Sequence, residues 1–344
     1  MTRLIAVRLL FGVLTLWAVS VVVFAATQAL PGDAAQLILG RDATPERLEA
    51  LRDQLNLHQP VAVQYTQWLQ GLLQGDLGTS FSNRQPVSEY LESPLGNSLV
   101  LMGLAALVAT PVSLLIGAFS ALRRDRGFDH TASLGTLVLA SVPEFVVGIL
   151  LILALGPGGA NLFPSVYSRE GGPEQWILPA LTLALAVAPP IVRMMRATMI
   201  EVLESEYVQQ ARLKGLDERV VLWRHAAPNA IGPVAQVIAL QLAWLAGGVV
   251  AVEFLFNIPG IGKVLMDGIA NRDVPLIQAV VLLIAGIYIL VNLLADVIGL
   301  AANPKVRVSG NRPSAPGSAT AKDRGEDGAA ETPADDPKAK DVRR

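Results

Sequence analysis

Few side chains in this sequence are placed to do chemistry, and those few lie in unusual company. Glu144 stands in SVPEFVVGILLIL and Asp296 in LLADVIGL, each among apolar residues. A carboxylate at the centre of a membrane helix costs on the order of 2.5–3.5 kcal/mol on insertion scales, so its presence calls for a cavity, a partner or a pathway. Two readings stand side by side. Either Glu144 and Asp296 line a route for a solute, or they are protonated, neutral carboxylates hydrogen-bonded between helices. Glu253, near the end of its own apolar run, reads as interfacial. The histidines His58, His130 and His225 are far apart and show no metal-ligand spacing, and there is no cysteine, which excludes disulfides, thiolate zinc sites and thiol catalysis. The nearest approach to a phosphate-binding loop, PGIGKV at residues 259–264, lacks the first glycine and the hydroxyl residue that G-x-x-x-x-G-K-[ST] requires. The chain is therefore not expected to hydrolyse ATP by itself.

The densest charge lies in EYVQQARLKGLDERVVLWRHAAPNA, residues 206–230. Residues 206–214 are good helix formers, and Gly215 falls where a helix end favours a left-handed residue. Asp217 can cap a second helix, on which Val220, Trp223, Ala227 and Ile231 recur at helical spacing as one apolar face; Pro228 is expected to end or kink it. The product is a short helical hairpin hinged at Gly215, with a greasy face and a basic one. It suits either an amphipathic helix resting on lipid headgroups or a docking element for a soluble partner.

These residues are embedded in an apolar chain. Of 344 residues 52% are hydrophobic and 16% charged, against about 25% charged in soluble domains, and a net charge of −2 leaves no nucleic-acid footprint. Six stretches approach or exceed the roughly 20 apolar residues that a span needs: about 9–30, 98–122, 131–155, 176–193, 233–256 and 275–301, the fourth interrupted by Pro189 and Pro190. Peptide groups cannot stay unpaired in lipid, so the expected fold is all-α and polytopic. The first stretch reads as a retained helix, being longer than the apolar part of a signal peptide and lacking a small-x-small site before Pro31. Lys and Arg concentrate in alternate short links: Arg3 and Arg8; Arg123, Arg124 and Arg126; Arg193 through Arg224; Lys305 and Arg307. The positive-inside rule then places both termini and the hinge in the cytoplasm.

Four regions follow: residues 1–30 with the first span; 31–97, an extracytoplasmic cap; 98–307, the membrane core with the charged loop at 201–231; and 308–344, a tail rich in Pro, Gly, Ser and charge that reads as disordered. In the cap, Thr44 and Pro45 open one helix, QPVAVQYTQWLQGLLQG reads as another, and GDLGTSFSNRQPV is turn-rich.

The hinge segment resembles the cytoplasmic coupling loop of permeases from binding-protein-dependent ABC importers of the dipeptide, oligopeptide and nickel group. Ala211, Gly215 and Pro228 hold the places of the family's Glu-Ala-Ala, three residues, Gly, then Pro pattern, with Gln209 where the broad family has Glu and Gln210 for the first Ala. Arg212, Lys214, Leu216, Arg224 and His225 match the group's AR-x-KGL and RH. LPGDAA, GDLGTS, SVPEFVVGILLIL, FNIPGIGKVL, NRDVPLIQ and the closing NPKVR, with Asn303 in place of the usual Asp, follow in order.

The resemblance implies a type I ABC importer permease fold. It implies one subunit forming half of a translocation pathway for peptides or related solutes, in the plasma membrane. The implied partners are a second homologous permease, two cytoplasmic ATPases, an extracytoplasmic solute-binding protein and membrane lipid. ATP and Mg would be bound by the ATPases and no cofactor by this chain. Tyr207, Ala211, Lys214, Gly215, Leu216, Arg224, His225 and Pro228 would couple to the ATPases. Gly75, Asp76, Leu77 and Gly78 would form an extracytoplasmic motif. Two rivals remain: a proton-coupled secondary transporter using Glu144 and Asp296, for which no inverted repeat is visible, and a membrane scaffold that transports nothing.

Overall fold

Apolar runs that must pair every peptide group internally fold as helices, and the computed structural model places thirteen among the residues it describes, 2–29, 34–39, 43–54 and 58–302. They are α1 (Thr2–Gln28), α2 (Ala34–Leu39), α3 (Pro45–Gln54), α4 (Val61–Leu73), α5 (Val87–Leu122), α6 (Gly127–Ser141), α7 (Glu144–Leu155), α8 (Ile177–Leu203), α9 (Glu206–Leu213), α10 (Glu218–Val220), α11 (Ala227–Phe256), α12 (Ile261–Ala270) and α13 (Val274–Ala302). The tail expected to be disordered, the NPKVR motif, the first four residues of LPGDAA and the Asp296 side chain lie outside the described residues. Among the described residues no strand forms; Thr79 and Pro86 make one isolated bridge.

Five helical stretches are long and apolar enough to span: Ala6–Gln28, Val87–Leu122, Pro173–Leu203, Glu218–Phe256 and Val274–Leu294. The third expected span is instead two helices, α6 and α7, bent by 113°. Pro143 is the cause. It pushes Val142 out of helical geometry to φ −105°, ψ 128°, as proline does to the residue before it. Glu144 is accordingly not in mid-helix, as the sequence suggested, but is the first residue of α7.

Contacts decide whether the bent pair crosses. Leu101, Ala105 and Ala109 of α5 pack with Leu178 through Val187 of α8, and Ala121 packs with Ile191, Met195 and Met199. Residue number rises together along both helices, so α5 and α8 are parallel. A chain that leaves one end of α5 and re-enters α8 at the other must cross in between. The α6–α7 pair does so: its start is fixed at Arg196 and its second half packs at Thr182. With the bent pair counted as one span, the described residues supply six candidate crossings.

Close approach of α5 and α8 depends on Gly117, where a Cβ would lie 2.6 Å from the Val192 carbonyl oxygen and 2.7 Å from the Met195 Cβ. Their shared core continues onto α11 through Leu245, Val249, Val252 and Phe256. Pro189 and Pro190 do not break α8, which runs unbroken from Ile177 to Leu203. It is the most buried of the spans, and packing on its neighbours compensates for the missing N–H groups.

α1 lies antiparallel to α13, with Gly12 against Ile289 and Gln278 Nε2 donating to Thr27 Oγ1 at 2.7 Å. α4 rests on α1 through Phe24, Tyr65 and Trp68, whose ring centroids are 5.3–5.9 Å apart, and a Ser20–Tyr65 hydroxyl bond of 2.8 Å. The arginines of the α5–α6 link, those of α8 and the charged segment 206–225 gather at one end of the helices, called here the basic end. α12 and the first turns of α5 and α13 form the opposite end.

Candidate functional site

The hinge at the basic end is built by local rules. Ser205, extended, precedes α9, and Glu206 sits in its first turn. α9 closes at Gly215, whose φ of +76° lies in the left-handed region. The Gly215 N–H donates to the Arg212 carbonyl at 2.9 Å and the Leu216 N–H to the Ala211 carbonyl at 3.4 Å, the paired bonds of a glycine-closed helix end. Asp217 then accepts the Arg219 N–H at 3.0 Å and opens α10. Across the turn Arg212 donates to both oxygens of Glu218, at 3.1 and 2.5 Å. This two-point bond raises the Arg212 guanidinium further above its already high ordinary value. The turn is therefore held by backbone and side chain together.

Beyond α10 the structure departs from expectation. Pro228 does not end the second helix. α10 continues through a π-helical turn, Val221–Ala226, into α11, so that one continuous rod runs from Glu218 to Phe256. Proline is tolerated because it stands directly after the π turn, where the regular i→i−4 ladder is already interrupted. The wider π turn also shifts the helical phase. The buried face is Val221, Ala226, Ala227, Ala230 and Val234, not the expected stripe of Val220, Trp223, Ala227 and Ile231, of which only Ala227 is buried.

The residues inferred from the resemblance thus divide. Ala211 is buried with Val208 and Val221 against Val202 and holds α9 onto the bundle. Tyr207, Lys214, Gly215, Leu216, Arg224 and Pro228 are exposed and His225 is half-buried. With them stand two exposed apolar residues that the sequence reading left out or assigned to a packed face: Leu213, 87% exposed, and Trp223, 66% exposed. With Arg212 and Glu218 paired, Lys214, Arg219 and Arg224 give this surface a basic rim.

Two ion pairs fix the base of the hinge. Arg124 bonds Glu204 just beyond α8 at 2.5 Å. Arg196 of α8 donates to both oxygens of Asp129, at 2.5 and 2.6 Å, and Asp129 also accepts the Asp125 N–H at 3.0 Å. The sequence reading counted Arg196 only among the basic residues and missed its pairing with Asp129, because a pair 67 residues apart leaves no local pattern.

At the opposite end, Gly75 and Gly78 have φ of +84° and +79°, and Asp76 accepts the Gly78 N–H at 2.8 Å. Leu77 packs with Val87, Leu91, Ile261 and Val280. Ser80 donates to Asp273 at 2.5 Å and the Ser82 N–H to the same carboxylate at 3.1 Å, tying GDLGTS to the start of α13. Glu253, near the C-terminal end of α11, is fully buried. It accepts from the Ser98 hydroxyl and from the N–H groups of Gly262, at 2.7 Å, and Lys263, at 3.4 Å. Glu253 therefore caps α12 from a neighbouring helix. Its only trace in the sequence is its spacing to Gly260 and Gly262, where a Cβ would strike the Glu253 carboxylate or the Val250 Cα. Glu144 is half-buried at the head of α7. Among the described residues no three His, Cys, Asp or Glu side chains form a metal-binding group.

Comparison with known proteins bears on this arrangement. The profile of the family described as binding-protein-dependent transport system inner membrane component matches residues 113–308, and that of its N-terminal region matches residues 1–101. The chain is similar to the glutathione transport system permease protein GsiC of Salmonella choleraesuis (strain SC-B67) and of Salmonella typhimurium (strain LT2), 38% identical to each over 303 residues. To the GsiC of Escherichia coli (strain K12) it is 37% identical. Each alignment covers 87% of this chain and 97% of the relative.

Proposed function

The chain belongs to the family of binding-protein-dependent transport system inner membrane components, and from that premise we propose how it works. It is the permease subunit of an ATP-driven importer, a multi-pass inner-membrane protein, and an ATPase and a solute-binding protein are its partners. It moves solute rather than making or breaking covalent bonds.

In our reading the basic end faces the cytoplasm, with both termini, because Lys and Arg in short links are retained there. Two ATPases, holding ATP and Mg, grip the hinge of this chain and that of a second, homologous permease. Leu213, Leu216, Trp223 and Tyr207 supply the apolar centre of the grip. Lys214, Arg219 and Arg224 meet an acidic rim on the ATPase. The observation that carries this reading is a hinge that is rigid, apolar at its tip and continuous with a membrane helix. Displacement of residues 206–220 is passed as a rigid-body motion into α11. The second permease covers the exposed apolar face of Phe145, Phe254 and Met266, since membrane helices associate through such packing. The cargo is a peptide-type solute of the size of glutathione, the solute named for the relatives.

Reconstitution tests the whole reading. Vesicles holding this permease, its partner permease and the ATPases should take up glutathione or a dipeptide only with ATP inside and the binding protein outside. Uptake driven by a proton gradient without ATP would overturn it, and so would labelling of Lys214 from the exterior of intact cells.

A further inference from the structure

The sequence counts Arg193 with the basic residues of a link between spans, but the structure places it inside α8. Arg124 of the α5–α6 link bonds Glu204, just beyond α8. Arg193 lies about 16 Å of helix from that level, well within the span. It belongs to a stripe of exposed residues, Pro190, Arg193 and Ala197, on a helix that is otherwise closely packed. Two observations fix where its guanidinium leads. The Cα–Cβ bonds of a helix lean toward its N-terminus, which in α8 is the end away from the basic one. Arg193 Nε also lies 3.5 Å from Thr136 Oγ1. Thr136 is about two turns along α6 from Asp129, the partner of Arg196, whereas Arg193 is only about one turn from Arg196. The side chain thus leads toward the centre of the membrane and not back to the headgroups. The Thr136 hydroxyl carries no charge, and Asp129, the only acid on α6, gives both oxygens to Arg196. Among the described residues no carboxylate pairs with Arg193. A cation at this depth is tolerated where it meets an anion or a water-filled space.

We propose that Arg193 is the point within the membrane at which the carboxylate of a passing peptide-type solute is held. The proposal rests on the importer reading above and adds to it the group on this chain that recognises the cargo. The planar guanidinium presents paired N–H groups that match a carboxylate, and every peptide with a free C-terminus carries one. About one turn nearer the basic end, the same helix shows the opposite arrangement. Arg196 has a resident carboxylate in Asp129, and that pair anchors α6. Arg193 has no such resident partner, and the small neighbours on its stripe, Pro190 and Ala197, leave its fork approachable. A lipid phosphate would lie near the level of Arg124, the end from which this side chain turns away. One two-point contact without a second cation holds an anion briefly, as a transit site must.

The complete importer is reconstituted in phosphatidylcholine vesicles, with and without phosphatidylglycerol, carrying the unsubstituted chain, Arg193→Gln or Arg193→Lys. Glutathione and alanyl-alanine are supplied at concentrations that saturate the binding protein. Each is compared with its fully amidated analogue, which has no carboxylate. The unsubstituted importer should move the free acid about tenfold or more faster than the amide, the worth of one charge-assisted two-point bond. Arg193→Gln should slow the acid by that factor, leave the amide unchanged and so erase the preference, while Arg193→Lys should keep part of it. Unchanged uptake of the amide also shows that the variant is folded, and the preference of the unsubstituted chain needs no variant. Equal slowing of acid and amide in Arg193→Gln would mean that Arg193 pairs with an acid of the partner permease or serves the fold. No slowing of either would remove it from the route, and a loss seen only with phosphatidylglycerol would assign it to a lipid headgroup. Each of these results overturns the proposal. Uptake of neither solute by the unsubstituted chain would overturn the importer reading and the proposal with it. ATP-dependent uptake without a carboxylate preference would overturn the proposal alone.

Discussion

The buried carboxylate of Glu253 on α11 accepts the hydroxyl of Ser98 on α5 while it holds the first amides of α12, and Ser98 in turn accepts the Ile261 N–H at 2.9 Å. Two residues 155 apart thus bind three helices at one point. Glu253→Ala would leave the Ser98 hydroxyl only the Pro94 carbonyl and strand two amides, each costing about 1–3 kcal/mol when buried without a partner. Thermal unfolding in detergent should fall by several degrees, and proteolytic cutting near residues 257–262 should rise. Glu253→Gln, which keeps an acceptor, should lose less. Equal melting of wild type and Glu253→Ala would show that the bonds carry no stability.

Gly215 has no neighbour within 4 Å of a built Cβ, so a side chain would meet open space and only its backbone conformation would suffer. A left-handed residue costs about 1–2 kcal/mol, least for Asn. Gly215→Val should insert normally yet lose transport and substrate-stimulated ATP turnover, while Gly215→Asn should retain both in large part. Full coupling in the Val variant is the result that would refute the rigid hinge.

Trp223 is 66% exposed, and an exposed tryptophan at a protein contact is a common anchor, worth about 2 kcal/mol or more. Trp223→Ala should weaken ATPase association about thirtyfold or more without altering the melting of the isolated permease. A titration of purified ATPase onto the permease in nanodiscs measures it. Undiminished affinity would move the grip elsewhere on the hinge.

Asp129 is nearly inaccessible and Arg196 about a third exposed. Removing one partner of a buried pair costs about 3–5 kcal/mol, and the partial exposure of Arg196 places Asp129→Ala toward the lower figure. The double variant Asp129→Leu with Arg196→Met should recover most of the loss, because it leaves no unpaired charge. Additive losses in the double variant would argue against a direct pair.

The apolar spans and the location of the charged hinge were legible in the sequence because each is a local property: apolar run length, charge density, and a glycine where a left-handed residue is required. Glu253, Asp273, Asp129 and Arg196 were not, since each acts on a residue distant in the chain. Pro228 and Pro143 show the same limit. Both are prolines in apolar surroundings, yet one is absorbed just after the π turn of a continuous rod and the other stands at a break that bends a span by 113°. At Pro228 the preceding π turn decides, and no spacing announced it.

Since α5 and α8 point the same way, their helix macrodipoles do not cancel, and two partially negative carbonyl ends meet at one surface. α5 runs directly into Arg123 and Arg124, and Arg124 also neutralises Glu204 where α8 stops. The cations that orient the protein in the bilayer also offset the field of its two central helices. Replacing them would therefore unsettle the bundle from within as well as its choice of side.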